Sequence, residues 1–256
     1  MNVYDTLSVD YDRFVNWERR LAVELPFIEQ ALEEIGACRV VDVACGTGQH
    51  AIALAQRGYQ LVGVDVSAAM IAQAQQNAQA AGVQVSFTVA GFGELATRQF
   101  SPFDALLCLG SSLPHIASPA ELLPTLRDMA AVLRPGGLLI VQNRNFDLVL
   151  THADRWMPLQ AHREGENEWL FLRFYDFNPD GSLTFNMLTL RRQNGQGWQQ
   201  HAASTRLWPI RQDQVVSALQ AAGFDLIQCY GDMQKKPFNP ATSPNLIAVA
   251  RRGQPE

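Results

Sequence analysis

The sequence predicts an α/β protein with a doubly wound, mostly parallel seven-stranded sheet. Between Arg39 and Gln142, segments with strand and helix periodicity alternate in series, as expected when parallel strands are joined by crossover helices. Near the C-terminus, strand Phe224 to Tyr230 is followed by strand Leu246 to Ala250 over a short connection, which favours an antiparallel pair. We therefore expect the last strand to run against the others.

Ordinary start and stop signals delimit the elements of this sheet. Gly36 ends the first predicted helix, Ser67 is a good N-cap for a later one, and Gly82 ends that helix. In chain order we expect helix Leu21 to Ile35, strand Arg39 to Ala44, helix Gln49 to Arg57, strand Gln60 to Val64, helix Ser67 to Ala80, strands Gln84 to Val89 and Phe103 to Leu109, helix Pro119 to Leu133, strand Leu138 to Gln142 and helix Gln212 to Ala222.

A different pattern interrupts this alternation between residues 143 and 210. Glu168 to Phe177, Ser182 to Arg192 and Trp198 to Trp208 alternate like antiparallel strands, and good turn sequences join them. We expect an inserted β meander that forms a substrate subdomain over 143–210. The rest divides into an N-terminal helical lid, 1–36, and a cofactor-binding sheet domain, 37–142 and 211–252.

The composition is that of an ordinary globular protein, with 47% hydrophobic residues, 18% charged residues and a net charge of −5. The acidic balance argues against nucleic-acid binding, and no stretch reaches the roughly 18 apolar residues of a membrane span. The four cysteines lack metal-ligand spacing, so we expect buried reduced thiols and no metal site. A cytoplasmic protein is expected, and a homo-oligomer is compatible with the sequence.

The most informative segment is Val40 to Gly48, V-V-D-V-A-C-G-T-G, in which a buried strand runs into a glycine loop. Gly46 and Gly48 let the backbone approach a ligand, and the following helix points free N–H groups into the same space. Such a site lies at the carboxyl end of the first strand. Asp42 within this strand and Asp65 after the next one add two carboxylates.

Two kinds of cofactor fit this loop. Gly46-x-Gly48-x-x-Ala51 satisfies the dinucleotide fingerprint with Asp65 near a ribose, so an NAD-binding oxidoreductase is one interpretation. Asp42, however, would put negative charge beside a pyrophosphate, and a cationic or zwitterionic ligand suits it better. For Asp65 alone, a helix cap near Ser67 is the simpler role. Its pairing with the glycine loop favours a ligand.

The run from Val40 to Gly48 resembles motif I of the class I S-adenosylmethionine-dependent methyltransferases, whose sheet is Rossmann-like. The resemblance implies that Asp42 serves the amino-acid end of the cofactor S-adenosyl-L-methionine and that Asp65 hydrogen-bonds its ribose hydroxyls. The run L-R-P-G-G-L at 133–138 and the antiparallel end of the sheet are also similar to this superfamily.

A narrower resemblance covers nearly the whole chain. The segment Phe103 to Leu150 and the tail G-D-M-Q-K-K-P-F-N-P look like the glycine N-methyltransferase family. In that family an arginine in the place of Arg144 binds the substrate carboxylate, and a planar guanidinium suits bidentate capture of it. The simpler alternative is a surface arginine paired with Asp147.

The same resemblance implies the remaining contacts. Phe92 falls where the family has an aromatic side chain near the adenine, and Arg20 is the candidate for the cofactor carboxylate. The implied cofactor contacts are Tyr11, Arg20, Asp42, Ala44, Gly46, Gly48, Asp65, Val66, Met70, Gly91, Phe92, Leu109, Gly110 and Ser111. The implied substrate contacts are Arg144, Asn145, Ser112, Trp208 and Tyr175.

The N-terminal segment is expected to fold over the cofactor as a lid that offers Tyr4 and Tyr11. The alternative places Arg19 and Arg20 on the wet face of an amphipathic helix. Tyr11 and His115 are candidates for passing a proton from the substrate to water, and an ordinary loop histidine is equally compatible with His115.

The activity that the resemblance implies is methyl transfer to the amine of a small, carboxylated molecule of the glycine or sarcosine type. Few of the family's substrate tyrosines have counterparts here, and Trp208 stands where the family has one. Another N or O acceptor, such as an amino sugar or a secondary metabolite, therefore stays open. So does a cofactor-binding protein that regulates a partner without catalysis. Methyl transfer to a neutral amine mainly requires that the two reactants are held in the right orientation, and it needs no metal.

Overall fold

The computed structural model describes residues 8–100 and 102–254, so Tyr4 of the predicted lid lies outside the described part. The helices are α1 (Tyr11–Phe14), α2 (Trp17–Glu33), α3 (Gln49–Ala55), α4 (Ala68–Ala80), α5 (Leu122–Ala131), α6 (Phe146–His152) and α7 (Gln212–Ala221). The strands are β1 (Arg39–Val43), β2 (Gln60–Asp65), β3 (Ser86–Val89), β4 (Phe103–Cys108), β5 (Leu133–Arg144), β6 (Gln160–Glu164), β7 (Asn167–Phe177), β8 (Leu183–Arg192), β9 (Gln199–Leu207), β10 (Phe224–Tyr230) and β11 (Asn245–Arg252).

Within the described residues, seven strands form a main sheet in the order β10-β11-β5-β4-β1-β2-β3. The strands β1 to β5 pair in parallel, whereas β11 pairs antiparallel with both of its neighbours. The predicted doubly wound sheet with an antiparallel last strand is therefore confirmed. Because β1 lies between β4 and β2, the carboxyl ends of these strands meet beside the glycine loop.

Apolar side chains cover both faces of the main sheet. Val41 and Leu106 belong to one buried cluster, whereas Val40 and Leu107, each one residue away, belong to a second cluster on the opposite face. This period of two is that of strands buried on both sides. The faces therefore leave little room for polar chemistry, which concentrates at the carboxyl edge.

The inserted segment folds into a second antiparallel sheet, the insert sheet, with strand order β6-β7-β8-β9. The three predicted strands are present, and β6 (Q-A-H-R-E) pairs with β7 as an additional edge strand. Its polar sequence has no apolar alternation because it lies at the sheet edge, so no periodic pattern predicted this strand. Helix α6 was not predicted either; its N-cap is Asn145, whose side chain accepts a hydrogen bond from Leu148 N.

The N-terminal helix α2 begins at Trp17, four residues earlier than predicted, because the Asn16 side chain caps it by accepting the Arg19 N–H at 3.0 Å. In the described part of the chain, no helix has the length and apolar character needed to cross a bilayer. All four cysteines are free thiols, but Cys38 is exposed, which corrects the expectation that they are all buried.

We expect Gly63→Ala to lower the free energy of unfolding by about 1–3 kcal/mol, the usual cost of overpacking a core. Gly63 lies in β2 opposite Phe87 of β3, and an added Cβ would lie 2.5 Å from the Phe87 ring and 3.0 Å from Cys45 Sγ. Urea unfolding checks this against Gly197→Ala, where nothing lies within 4 Å of the added Cβ. Equal stability of the two variants would contradict it.

Candidate active site

The loop after β1 has the backbone conformation that a ligand-binding turn requires. Ala44 and Gly46 both have positive φ, 57° and 56°, and Gly46 N donates to Asp65 Oδ2 at 2.8 Å. The nearest atom to a Cβ added at Gly46 is a Tyr11 ring carbon at 3.7 Å. The loop therefore presents bare backbone to the space between the sheet edge and Tyr11.

Gly48 has a different physical reason for being a glycine. A Cβ at this position would lie 2.8 Å from the Phe87 ring and 3.0 Å from Ala74 Cβ, both inside the protein. Its φ of 78° is also left-handed, and it is the N-cap residue of α3. The structure thus places Gly48 against α4 and β3 and not among the residues that line the cavity described below.

Asp65 ends β2 and is held by two backbone donors, Gly46 N on one carboxylate oxygen and Ser67 N on the other, at 2.8 and 2.9 Å. Ser67 itself caps α4 by accepting Met70 N. Ser67, and not Asp65, is therefore the N-cap of this helix. The two backbone donors hold the Asp65 carboxylate beside the glycine loop.

Asp42 is buried one strand away, and its Oδ2 has no hydrogen-bond partner in the structure as described. Burial, together with the nearby charge of Asp65, raises the pKa of Asp42 to about 7. A buried carboxylate oxygen without a donor costs free energy, and a cationic ligand group supplies the missing partner.

A cavity of about 660 Å³ opens beside these residues. Most of the predicted site residues line it, namely Tyr11, Ala44, Gly46, Asp65, Val66, Met70, Gly91, Phe92, Gly110, Ser112 and His115. Other lining groups were not predicted, among them Glu94, Glu121, Thr125, Ser204 and Thr205. The last two come from β9, so the insert sheet contributes to the cavity wall.

Asp12, between Tyr11 and α2, fastens the N-terminal segment over the glycine loop. Its Oδ1 accepts Thr47 Oγ1–H at 2.6 Å and Trp17 Nε1–H at 2.8 Å, and its Oδ2 accepts Asn77 Nδ2–H at 2.9 Å. Arg13 reaches the insert sheet by pairing with Glu164 at 2.9 Å. The segment thereby contacts the glycine loop, α4 and the insert sheet, with Tyr11 facing the cavity.

Beneath this segment lies a buried network around Glu24 of α2. The Glu24 carboxylate accepts hydrogen bonds from Arg20 Nε at 3.0 Å, from His50 Nε2 at 2.6 Å and from Gln142 Nε2 at 2.9 Å. Burial raises the pKa of Glu24, but His50, Arg20 and Gln142 lower it more, to about 2. Burial lowers the pKa of His50. At neutral pH the pair is thus an ionised carboxylate accepting from a neutral imidazole.

Gln142 extends this network to the end of β4. Its Oε1 accepts Gly110 N–H at 3.0 Å and Arg20 Nη2 at 3.4 Å. Gly110 has a φ of 73°, and an added Cβ would lie 3.3 Å from Arg20 Nη2. The Arg20 guanidinium therefore lies directly against the turn after β4, although Arg20 itself is not among the cavity-lining residues.

Arg144 ends β5 and lies against the insert sheet. Its backbone N donates to Ser111 Oγ at 3.2 Å, and its guanidinium carbon is 5.9 Å from the centre of the Tyr175 ring. Its Nε is buried without a hydrogen-bond partner among the described residues. Asp147, the alternative partner proposed for Arg144, instead accepts a hydrogen bond from Gln212 N at 3.0 Å. Arg144 is thus a cation held at the sheet edge beside a buried tyrosine.

Comparison with known proteins identifies this combination of fold and site. Residues 40–137 match the family model described as a methyltransferase domain. Over 234 residues the chain is 33% identical to the glycine/sarcosine N-methyltransferase of Aphanothece halophytica, spanning 88% of this chain and 80% of that protein. The chain belongs to the S-adenosylmethionine-dependent methyltransferases.

Two solved structures have the same fold as this methyltransferase. An S-adenosylmethionine-dependent methyltransferase from Clostridium acetobutylicum superimposes with a TM-score of 0.79 at 16% identity, covering 99% of this chain and 100% of that one. A sugar N-methyltransferase from a Streptoalloteichus species gives a TM-score of 0.72 at 22% identity, covering 91% of this chain and 88% of that one. The whole chain, including the insert, thus follows a known arrangement.

Two predicted substrate contacts have other partners in the methyltransferase. The Asn145 amide donates to Pro240 O and Ser243 O at 2.9 and 2.8 Å, which ties the start of α6 to the loop before β11. Trp208 Nε1 donates to Ala117 O at 2.9 Å and holds the loop that carries His115. Neither residue lines the cavity. The same is true of five other predicted site residues, Asp42, Leu109, Ser111, Arg144 and Tyr175.

The two candidate proton carriers have perturbed acidities. Burial raises the pKa of Tyr11, and burial lowers the pKa of His115 to about 4. At neutral pH Tyr11 therefore keeps its proton and His115 is uncharged. Both are suited to hydrogen bonding, and His115 is too weak a base to retain a proton near pH 7.

Glu24, His50, Gln142 and Asp12 were missed by the sequence analysis of the site. Arg20 and Glu24 are four residues apart on one helix, which is a detectable signal for a local pair. Gln142 carried no such signal because it is the last residue of the predicted apolar strand Leu138 to Gln142. Its partners Glu24 and Gly110 are also distant in sequence.

We expect Glu24→Gln to reduce stability in a pH-dependent manner. The folded-state pKa of Glu24 is depressed from 4.5 to about 2, so its contribution is present above pH 4.5 and is lost as pH falls through about 2. The stability difference between wild type and variant should reach about 3 kcal/mol at neutral pH and shrink below pH 4.5. Urea unfolding between pH 7 and pH 3 measures it, with the exposed Glu18→Gln on the same helix as control. A difference independent of pH would contradict this assignment.

Proposed function

We propose that the methyltransferase transfers a methyl group to the nitrogen of a small carboxylated amine of the glycine or sarcosine type, with Arg144 binding the carboxylate. The observation that carries this proposal is the guanidinium of Arg144, the last residue of β5, whose Nε is buried and unpartnered among the described groups. Similarity to a glycine/sarcosine N-methyltransferase supports the same acceptor class. We also propose residues 143–210 as the substrate subdomain.

The residues at the sheet edge fit S-adenosylmethionine, a zwitterion with a ribose and an adenine. Asp42 offers an orphan carboxylate oxygen for its ammonium, and Arg20 lies against Gly110 as a partner for its carboxylate. Asp65 lines the cavity at a position suited to the ribose hydroxyls, and Phe92 lies on the same wall for the adenine. The cavity also accounts for Val66 and Met70, whose apolar side chains line it.

The chemistry follows from positioning. When bound, S-adenosylmethionine supplies an electrophilic methyl group on its sulfonium. Arg144 would hold the acceptor carboxylate and Tyr11 would close the cavity above the glycine loop, which together orient the amine and exclude water. Well-oriented reactants can gain about 7–11 kcal/mol of barrier reduction. Ser112 and His115 line the same cavity and are available as hydrogen-bonding groups for the amine.

We expect cofactor binding to release a proton near neutral pH. The pKa of Asp42 is about 7 in the protein without ligand, and a bound ammonium would lower it because opposite charges favour the ionised form. Affinity for S-adenosylhomocysteine should therefore fall about tenfold per pH unit below pH 7. Calorimetry from pH 5.5 to 8 in buffers of different ionisation enthalpy measures both effects.

Asp42→Asn should bind S-adenosylhomocysteine more weakly at pH 8 and should lose the pH dependence. The control is Asp225→Asn, an exposed carboxylate on β10 that should behave as wild type. A wild-type affinity that stays constant from pH 5.5 to 8 would make the Asp42 assignment wrong.

The acceptor class is tested by methyl transfer with glycine, sarcosine and an amino sugar. Turnover of the carboxylated amines is expected, and Arg144→Gln should raise their KM by about tenfold or more because a charge-assisted hydrogen bond is lost. The affinity for S-adenosylhomocysteine should change little. Arg163→Gln, which removes the same charge from an exposed position on β6, serves as control. Turnover of the amino sugar alone, with Arg144→Gln fully active, would overturn the proposal.

A further inference from the structure

A second arginine, Arg173, lies beside Arg144 in the insert sheet. Along β7 the side chains of Trp169, Phe171 and Tyr175 are buried, and Arg173 shares their face because it follows the same period of two. Its guanidinium carbon lies 4.7 Å from the centre of the Phe14 ring in the N-terminal segment. Arg173 therefore points from the insert sheet toward the N-terminal segment.

Among residues 8–100 and 102–254, no carboxylate acts as a counter-ion for Arg173. The ionisable groups that interact with it in the described structure are Arg144, Tyr175 and Tyr11, none of which is a carboxylate. Burial and the charge of Arg144 both lower the pKa of Arg173. The Nε atoms of Arg144 and Arg173 are each buried without a hydrogen-bond acceptor in this part of the chain. In contrast, Arg13 and Arg20 of the N-terminal segment each pair with a glutamate.

Two neighbouring, half-buried cations whose Nε atoms are buried are unfavourable on their own. Each loses hydration, and each repels the other because the surrounding dielectric is low. A single carboxylate carries one negative charge, so even when it bridges both arginines it leaves the pair with one net positive charge. Tyr175 lies close enough to both arginines for each of their charges to lower its pKa, which burial raises. The two cations thus lie near the same tyrosine, where each can bind one anionic group of a ligand.

We propose that the acceptor carries two anionic groups, one bound by Arg144 and the other by Arg173. This inference rests on the proposed function and narrows its substrate class to amines with a carboxylate and a second anion, either a carboxylate or a phosphonate. Tyr11 lines the cavity and also interacts with Arg173, which connects the arginine pair to the site of methyl transfer. In the transfer, the nitrogen lone pair forms the new N–C bond, the electrons of the S–C bond return to sulfur, and one proton leaves the amine for water.

Matched secondary amines test this proposal in the full-length enzyme. Sarcosine has one carboxylate, iminodiacetate has two, and N-(phosphonomethyl)glycine has one carboxylate and one phosphonate. For the wild type, kcat/KM should be about tenfold or more higher for at least one of the two dianionic amines than for sarcosine, as a charge-assisted hydrogen bond predicts. Which of these two amines is preferred separates a carboxylate from a phosphonate.

Arg173→Gln should reduce that preference to about unity, and Arg173→Met serves as a second variant of similar length. Arg163→Gln, the exposed charge on β6, should leave the preference intact. Thermal unfolding and S-adenosylhomocysteine affinity show whether each variant is folded. If neither Arg173 variant folds, the substrate preference of the wild type decides the proposal by itself.

The outcomes separate this inference from the proposed function. Sarcosine turnover that equals or exceeds that of both dianionic amines would overturn only the inference. An equal loss of kcat/KM for all three amines in Arg173→Gln would also overturn only the inference, because it would mean that both arginines bind a single carboxylate. Failure of the wild type to methylate glycine or any of the three amines, with S-adenosylhomocysteine binding intact, would overturn the proposed function as well.

Discussion

The arrangement of the sheet edge beside the glycine loop depends on one buried carboxylate, that of Glu24. Burying an ion costs several kcal/mol, and the cost is offset here by three donors from different elements, Arg20 of α2, His50 of α3 and Gln142 of β5. Because Gln142 also accepts the Gly110 N–H, the same carboxylate connects the N-terminal helix to the ends of β4 and β5. Neutral His50 matters to this balance, since it donates without adding a second positive charge. The position of Arg20 is therefore a consequence of the whole network.

Charge is divided between the two ends of the site. The end proposed for the cofactor holds the carboxylates of Asp42, Asp65 and Glu24, with Arg20 as a nearby cation. The end proposed for the acceptor holds Arg144 and Arg173 without an acidic partner among the described residues. On the proposed assignment, the two arginines would also disfavour a protonated amine nearby, because like charges raise the cost of the ammonium form. That effect would supply the neutral nucleophile that neither buried Tyr11 nor weakly basic His115 is suited to generate.

Local patterns made part of this molecule predictable. The run from Val40 to Gly48 combines strand periodicity with obligatory loop glycines, so the site edge and the topology around it follow from neighbours in sequence. The reason that position 48 requires glycine cannot be predicted in this way, because the Phe87 ring that would contact an added Cβ comes from another strand. The amide of Asn145 is likewise used by a loop about a hundred residues away. Polar groups whose partners are distant in sequence leave no periodic signal, which is why Gln142 was not predicted, whereas the i,i+4 pair with Arg20 is the one local signal for Glu24.

The same reasoning explains where acceptor specificity can reside. The glycine loop and the acids near it can suit a cofactor shared by many enzymes, whereas the insert sheet presents one face of β7 to the acceptor end. Register decides which side chains that face carries, since a slip of one residue would turn Trp169, Phe171, Arg173 and Tyr175 outward together. The contact of Phe14 with Phe171 at 5.5 Å and the Arg13–Glu164 pair hold the N-terminal segment against this sheet. On the proposed assignment, a change of acceptor can therefore be encoded in β7 without disturbing the network around Glu24.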